Sequence, residues 1–158
     1  MSAVMQEKNQ QVFRWVTFRL ADEIYGINVM QVQEVLRMTD VAPVPGAPHY
    51  VMGIINLRGN VVTVLDTRKL LDRATSDITD SSRIMIIESG KVTVGLLVDS
   101  VAEVVNIASS DIDPPPSVGN DEGSRYIQGI YSTEQQILIL LDLNKLINEE
   151  NRDAIGMF

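Results

Sequence analysis

Apolar residues recur along the chain in short runs rich in valine and isoleucine, and polar turns separate these runs. Such runs are typical of β-strands. The pattern predicts strands at Val12–Leu20, Ile24–Val29, Val32–Met38, Val51–Leu57, Val61–Leu65, Arg83–Glu88, Val92–Val98, Val101–Ile107, Tyr126–Tyr131 and Ile137–Leu141. The period changes after the fifth and the tenth strand. There, Asp66–Leu71 and Asp142–Ile147 predict short helices, each with an aspartate at its N-cap.

The second half of the chain repeats the plan of the first. When Gly26–Val35 is shifted by 69 positions onto Gly95–Val104, five of ten residues are identical. A shift of 76 positions aligns Asp66 with Asp142 and six further residues of the later segment. This internal duplication predicts two copies of a unit that has five strands and a terminal helix.

Five short antiparallel strands with tight turns are typical of a small barrel. A barrel of about 70 residues has a thin core by itself, so we expect the two copies to share an apolar seam. The sequence therefore predicts an all-β protein with short helices, in which two five-stranded barrels share a hydrophobic core. We expect one domain over residues 11–148, subdomains at about 12–75 and 82–148, and flexible tails at 1–10 and 149–158.

Composition removes most catalytic and metal chemistry. The chain has no cysteine and a single histidine, His49, which excludes cysteine nucleophiles, disulfides, zinc fingers and two-histidine metal centres. The net charge of −8 argues against a nucleic-acid partner, because lysine and arginine must neutralise phosphates. No apolar run approaches the roughly 18 residues of a membrane span, and residues 1–11 lack the apolar stretch of a signal peptide. We expect a cytoplasmic protein with no cofactor, no bound metal and no membrane insertion.

One enzymatic alternative is a duplicated aspartyl hydrolase, in which one aspartate from each copy shares a proton and activates water. Asp66 and Asp142 are the aligned aspartates, and Leu65-Asp66-Thr67 begins the pattern of such enzymes. The next residue is Arg68 rather than glycine, and the second copy departs further from the pattern. Helix capping by both aspartates is therefore the favoured interpretation.

Arg58 and three duplicated valines are the candidates for binding. Arg58 lies at the tip of an Asn-Leu-Arg-Gly turn, and the counterpart of this turn in the second copy keeps none of its residues. A solvated turn arginine and an arginine that contacts a partner both remain open. Val29, Val32 and Val98 lie near the expected seam, where core packing and exposure in an apolar groove for a helix both remain open.

Five segments of the chain resemble, in order, the CheW chemotaxis coupling proteins. These segments are Tyr25-Gly26-Ile27, Val32-Gln33-Glu34-Val35, Val44-Pro45-Gly46-Ala47-Pro48, Gly53-Ile54-Ile55-Asn56-Leu57-Arg58-Gly59 and Val64-Leu65-Asp66. The resemblance covers about Gln11 to Asn148. It implies a fold of two intertwined, five-stranded, SH3-like barrels about a shared core, which agrees with the duplication.

The resemblance implies a non-enzymatic adaptor that couples methyl-accepting chemotaxis receptors to the histidine kinase CheA in receptor arrays at the membrane. The receptor partner would be the cytoplasmic helical hairpin, and the kinase partner would be the CheA regulatory domain. Kinase contacts are expected at the barrel ends of both subdomains, without assigned residues. A peptide-binding adaptor of another sensory pathway remains an alternative. The receptor-binding residues implied by the resemblance are Val29, Val32, Glu34, Arg58, Gly95, Val98 and Val104.

Overall fold

A computed structural model describes residues 11–115 and 126–147, which contain ten strands and two short α-helices. The strands are β1 (Val12–Leu20), β2 (Glu23–Asn28), β3 (Val32–Arg37), β4 (Val51–Leu57), β5 (Asn60–Asp66), β6 (Arg83–Ser89), β7 (Val92–Val98), β8 (Ser100–Ala108), β9 (Ile127–Ser132) and β10 (Ile137–Leu141). The helices are α1 (Thr67–Leu70) and α2 (Leu143–Leu146), and 3-10 turns cover Val29–Gln31 and Ser109–Asp111. The predicted flexible tails at 1–10 and 149–158 lie outside the described residues.

The strands agree closely with those predicted from the apolar pattern, and the main difference lies at Val29. The sequence places Val29 at the end of the second strand, whereas β2 ends at Asn28 and Val29 begins a 3-10 turn. The side chain of Asn28 accepts a hydrogen bond from the backbone N–H of Met30 and so caps this turn. Asp66 and Asp142 cap α1 and α2 as predicted.

The strands form two five-stranded sheets. Sheet 1 has the order β8-β1-β2-β10-β9, and sheet 2 has the order β3-β6-β7-β5-β4. When each strand is replaced by its repeat equivalent, the first order becomes the second. β10 pairs with β2 in parallel and β5 pairs with β7 in parallel, so the last strand of each copy joins the first hairpin of the other. The prediction of an all-β fold with two five-stranded units is confirmed.

The two sheets do not coincide with the two sequence copies at 12–75 and 82–148. Sheet 2 consists of β3 to β7, which form one continuous stretch of chain, and sheet 1 is built from the strands on either side of it. The physical reason is the exchange of the first hairpins between the copies. Each hairpin pairs with strands of the opposite copy, so neither copy forms a sheet by itself.

Each sheet is closed by a short bridge between the chain after one edge strand and the opposite edge strand. In sheet 2, Ala42 and Ile54 exchange two backbone hydrogen bonds of 2.9 Å. In sheet 1, the corresponding bonds join Asp113 and Ile130 at 2.8 and 2.9 Å. The bridges connect the two edges of each sheet at one point, which gives the sheet the partly closed character of a barrel.

Three apolar clusters form the interior. One lies within sheet 2 and includes Ile55 and Ile84, and one lies within sheet 1 and includes Trp15 and Leu138. The largest lies between the sheets, and it joins residues of sheet 1 such as Phe18 to residues of sheet 2. The shared hydrophobic core predicted from the thin single barrel is therefore present. No helix in the described part of the chain has the length and apolar character needed to cross a bilayer.

Candidate functional site

An ion pair between Arg58 and Glu34 joins the two edge strands of sheet 2. Arg58 lies in the tight turn between β4 and β5, with a φ of +52°, and Glu34 lies on β3. The Arg58 Nη1 donates to Glu34 Oε1 at 3.1 Å, and Nη2 donates to Oε2. The guanidinium therefore binds the carboxylate through two parallel bonds, while 69% of the Arg58 side chain stays exposed. The pair is a fixed polar feature on the surface.

The electrostatics of the pair follow from these hydrogen bonds. Donation from Arg58 lowers the pKa of Glu34 below its ordinary value. Acceptance by Glu34 raises the pKa of Arg58. A carboxyl whose pKa is lowered by folding stabilises the native state above its unfolded pKa, and it loses this contribution as the pH falls through its folded pKa. The ion pair is therefore complete at neutral pH and opens only in acid.

Replacing Arg58 with glutamine should raise the pKa of Glu34 toward its ordinary value, because the charged double donor is lost. An NMR titration of the Glu34 carboxyl carbon in both proteins measures this shift. Arg37→Gln is the matched control, because Arg37 is also exposed on β3 but has no described bond to Glu34. An unchanged Glu34 midpoint in Arg58→Gln would contradict the assignment of the ion pair.

Valines on the edge strands bring the shared core to the surface. Val35 on β3 lies opposite Met85, and Val104 on β8 lies opposite Val16. Met85 and Val16 belong to the shared core, and directly opposite residues point to the same side of a sheet. Val35 and Val104 are 40% and 45% exposed. Both sheets thus present an apolar side chain at the outer limit of the core.

The predicted receptor-binding residues differ in burial: some are exposed, some are partly buried and two are interior. Glu34, Arg58 and Val104 have exposed or partly exposed side chains, as described above. Val29 and Val32 are partly buried and pack against the shared core. We define the docking face as the predicted residues that reach the surface fully or in part, together with the exposed Val35. Its members are Val29, Val32, Glu34, Val35, Arg58 and Val104.

Two predicted residues, Gly95 and Val98, lie in the interior and do not reach the docking face. Val98 has no exposed area and belongs to the shared core. A Cβ added to Gly95 would lie 2.8 Å from Ile84 Cγ2 and 3.4 Å from Val64 Cγ2, because β7 is covered by strands on both sides. Both residues are therefore interior and cannot touch a partner directly in this structure.

Sequence reasoning missed Val35 as a surface residue, although a signal for it was present. Val35 and Val104 are identical residues at the repeat shift of 69, and the matching sheet orders place them on equivalent edge strands. A repeat that keeps a valine on two solvent-facing edges indicates a shared surface role. Met30, which is 86% exposed in the 3-10 turn, had no such signal, because its counterpart is Asp99.

The two aspartates of the hydrolase alternative act as separate helix caps. The Asp66 side chain accepts from the Arg68 N–H at the start of α1, and the Asp142 side chain accepts from the Asn144 and Lys145 N–H groups at the start of α2. The Asp66 carboxylate also binds the Arg68 guanidinium, so its partner is a cation rather than a second acid. The geometry therefore gives no support to an aspartyl dyad.

A buried arginine cluster was not predicted from the sequence. The Arg68 Nε and Nη2 donate to Asp66 at 3.0 and 3.1 Å, and Nη1 donates to Asp99 at 3.2 Å and to the Ser76 carbonyl at 2.7 Å. Asp99 also accepts from the Ala21 N–H at 2.7 Å. The hydrogen bond to Asp66 raises the pKa of Arg68 in spite of its burial. The cluster ties α1, β7 and the β1–β2 turn together, so its role is structural.

Comparisons with known proteins identify the family. The model of the CheW-like domain matches residues 14–151. The chain is 35% identical to chemotaxis protein CheW of Treponema pallidum over 94% of this chain and 89% of that protein, and 32% identical to that of Rhizobium meliloti over 88% and 90%. The solved structure of the scaffolding protein TtCheW from Thermoanaerobacter tengcongensis superposes with a TM-score of 0.80 at 33% identity, over 89% of this chain and 91% of that one. The chain therefore belongs to the CheW family of non-enzymatic chemotaxis scaffolding proteins.

Proposed function

We propose that this protein couples the cytoplasmic helical hairpin of methyl-accepting chemotaxis receptors to the histidine kinase CheA. The observation that carries the proposal is the docking face, which combines the exposed Arg58–Glu34 pair at one end of sheet 2 with valines of the edge strands that continue the shared core to the surface. An apolar strip with a fixed polar group at its side fits one face of an amphipathic helix. The protein itself works as a scaffold, and the output is set by the activity of the kinase.

The exposed guanidinium supports a specific rather than a general contact. An arginine carries five N–H donors, and two of the bonds of Arg58 go to Glu34. The remaining donors face solvent and are free to bind acceptors on a docked helix. Because Glu34 holds the side chain in place, little rotamer entropy is lost when a partner binds. The valines add contact area, and Arg58 fixes the orientation.

For the kinase, we propose contacts at the ends of both barrels with the CheA regulatory domain. The turn after β4 and the turn after β9 are repeat equivalents, and the next strand carries an exposed aliphatic residue in each case, Val61 and Ile137. We assign these two aliphatic residues to the kinase and Arg58, in the first turn, to the receptor. Two equivalent ends that each expose an aliphatic residue suit contacts with two surfaces of one partner. Recruitment from the cytoplasm to the membrane would then follow from receptor binding.

Reversing the charge at position 58 with Arg58→Glu should weaken receptor binding at least tenfold, which is about 1.4 kcal/mol of binding free energy, and leave the fold intact. The test reconstitutes CheA autophosphorylation with purified receptor and the Arg58→Glu variant, together with a receptor pulldown. Arg37→Glu makes the same charge change on an exposed residue of β3 outside the docking face and is expected to behave as wild type. Val104→Asp places a carboxylate on the apolar side of the face and should match Arg58→Glu.

Receptor control of CheA that is equal in Arg58→Glu, Val104→Asp and wild-type protein would refute the docking face. Thermal unfolding of each variant distinguishes a lost contact from a lost fold. If the folded wild-type chain gave no receptor-dependent change in kinase activity, the adaptor of another sensory pathway would replace the proposal.

A further inference from the structure

In the described residues the chain passes between the sheets at two crossovers. β2 of sheet 1 leads through the Val29–Gln31 turn into β3 of sheet 2, and β7 of sheet 2 leads through Asp99 into β8 of sheet 1. The repeat shift of 69 aligns Met30 with Asp99, so the crossovers are equivalent positions in the two copies. A change in the angle between the sheets is absorbed at such connections.

The β7–β8 crossover is held by charged and buried groups. Asp99 accepts from Arg68 Nη1 at 3.2 Å and from the Ala21 N–H at 2.7 Å, and its own N–H donates to the Arg19 carbonyl at 3.1 Å. Arg68 is buried, and it is anchored in turn by two bonds to Asp66. Charge-assisted bonds with a buried partner are stronger than neutral bonds in water. This crossover is therefore clamped on three sides.

The β2–β3 crossover is held by neutral polar groups and by the packing of Val29 and Val32 against the shared core. The repeat shift of 76 places Asn144 where the first copy has Arg68. The Asn144 Oδ1 accepts from Gln31 Nε2 at 3.4 Å, a long bond between exposed groups, and it also accepts from the Ser89 hydroxyl. The N–H of Met30, which is exposed, donates to the side chain of Asn28 at 2.9 Å. Water competes with the exposed bonds of Met30 and Gln31, whereas the Ser89 bond is partly buried. All three bonds are uncharged, so they add less restraint than the charged clamp.

We infer that the β2–β3 crossover is a compliant hinge and that the β7–β8 crossover is a fixed pivot, so that the sheets reorient by movement at Val29–Val32. The two copies have the same architecture, but their crossovers differ in stiffness. One crossover has Arg68 and Asp99 where the other has Asn144 and Met30. The consequence for signalling rests on the proposed function. Val29 and Val32 belong to the docking face, so a docked helix acts on the hinge and changes the angle between the two barrel ends.

Amide hydrogen exchange of the free, full-length chain, read by NMR, tests the inference. The N–H of Asp99 donates to the Arg19 carbonyl across strands, and that of Val32 donates to the Val29 carbonyl within the 3-10 turn, so each crossover has one bonded amide whose exchange can be followed. We expect the protection factor at Asp99 to exceed that at Val32 by about tenfold or more. Equal protection at the two crossovers would overturn the inference.

Two variants test the charged clamp, one by weakening it and one by building it at the other crossover. Asp99→Asn keeps the shape of the side chain and removes its charge, so protection at Ala21 and position 99 should fall severalfold while Val32 is unaffected. Met30→Asp combined with Asn144→Arg rebuilds the charged clamp at the hinge, and protection at Val32 should rise by about tenfold. Unchanged exchange at Ala21 in Asp99→Asn, or at Val32 in a folded double variant, would contradict the inference.

These measurements need neither receptor nor kinase, so they separate the inference from the proposed function. If Arg58→Glu had no effect on receptor binding, the docking face would fail and the difference in exchange would remain. If the difference were absent, the hinge would fail while the docking face could still bind a receptor.

Discussion

Replacing Arg68 with methionine should lower the free energy of unfolding by about 3–5 kcal/mol. The variant fills most of the space of the side chain but leaves Asp66, which is buried, and Asp99 without their cation. Removing one partner of a buried ion pair is costly because the remaining charge stays desolvated. Urea denaturation followed by the fluorescence of Trp15, the single tryptophan of the chain and a core residue, measures the loss.

Lys69→Met is the matched control for Arg68→Met. Lys69 is the next residue of α1, it is exposed, and the same change removes the same charge. Its effect on unfolding should stay within about 0.5 kcal/mol, as for most surface substitutions. If Arg68→Met cost less than about 1 kcal/mol, the cluster would contribute no more than a surface salt bridge.

Gly53→Ala should destabilise the protein by about 2–5 kcal/mol, from backbone strain and two lost hydrogen bonds. Gly53 has a φ of +155°, and an added Cβ would lie 2.2 Å from the Ala42 carbonyl oxygen. The obstacle is a backbone atom rather than a mobile side chain, so the backbone at Ala42 must move away from β4. This movement breaks the Ala42–Ile54 bridge that closes sheet 2. Thermal unfolding and the exchange of the Ile54 amide report the loss.

Gly59→Ala distinguishes the steric part of this effect from the backbone part. Gly59 also has a positive φ, of +89°, but an added Cβ would meet no atom within 4 Å. Its cost is therefore the left-handed conformation alone, about 1 kcal/mol. Equal destabilisation by the two substitutions would contradict the role given to the Ala42 carbonyl.

The strands and helix caps of this protein could be predicted from the sequence because they depend on local patterns. Alternating or continuous valine and isoleucine runs define the strands, and Asp66 and Asp142 begin their helices at the expected positions. The duplication also carried information across the chain. It predicted two five-stranded units and a shared core before any pairing was known.

Strand pairing and long-range contacts could not be predicted in the same way. The duplication assigns Val12–Leu20 to the first copy, whereas its pairing with β8 and the parallel contact of β2 with β10 join it to strands of the second copy. The burial of Val98 depends on strands that cover it from both copies, so its apolar character alone left core and groove open. The partner of Arg68, Asp99, lies 31 positions away, and neither residue belongs to a motif.

The division of sheet 1 into two separated segments also orders events on the ribosome. All five strands of sheet 2 have been synthesised once Val98 is made, whereas sheet 1 waits for β10, which ends at Leu141. At about 5–20 residues per second, this interval lasts seconds, far longer than a hairpin takes to form. During this interval, strands made earlier can already pack against the apolar face of the β1–β2 hairpin, which carries Phe18 and Tyr25. The hairpin still lacks β10, the strand that pairs with β2. The nascent chain is therefore most prone to aggregation and to chaperone binding late in translation, when sheet 2 is already complete.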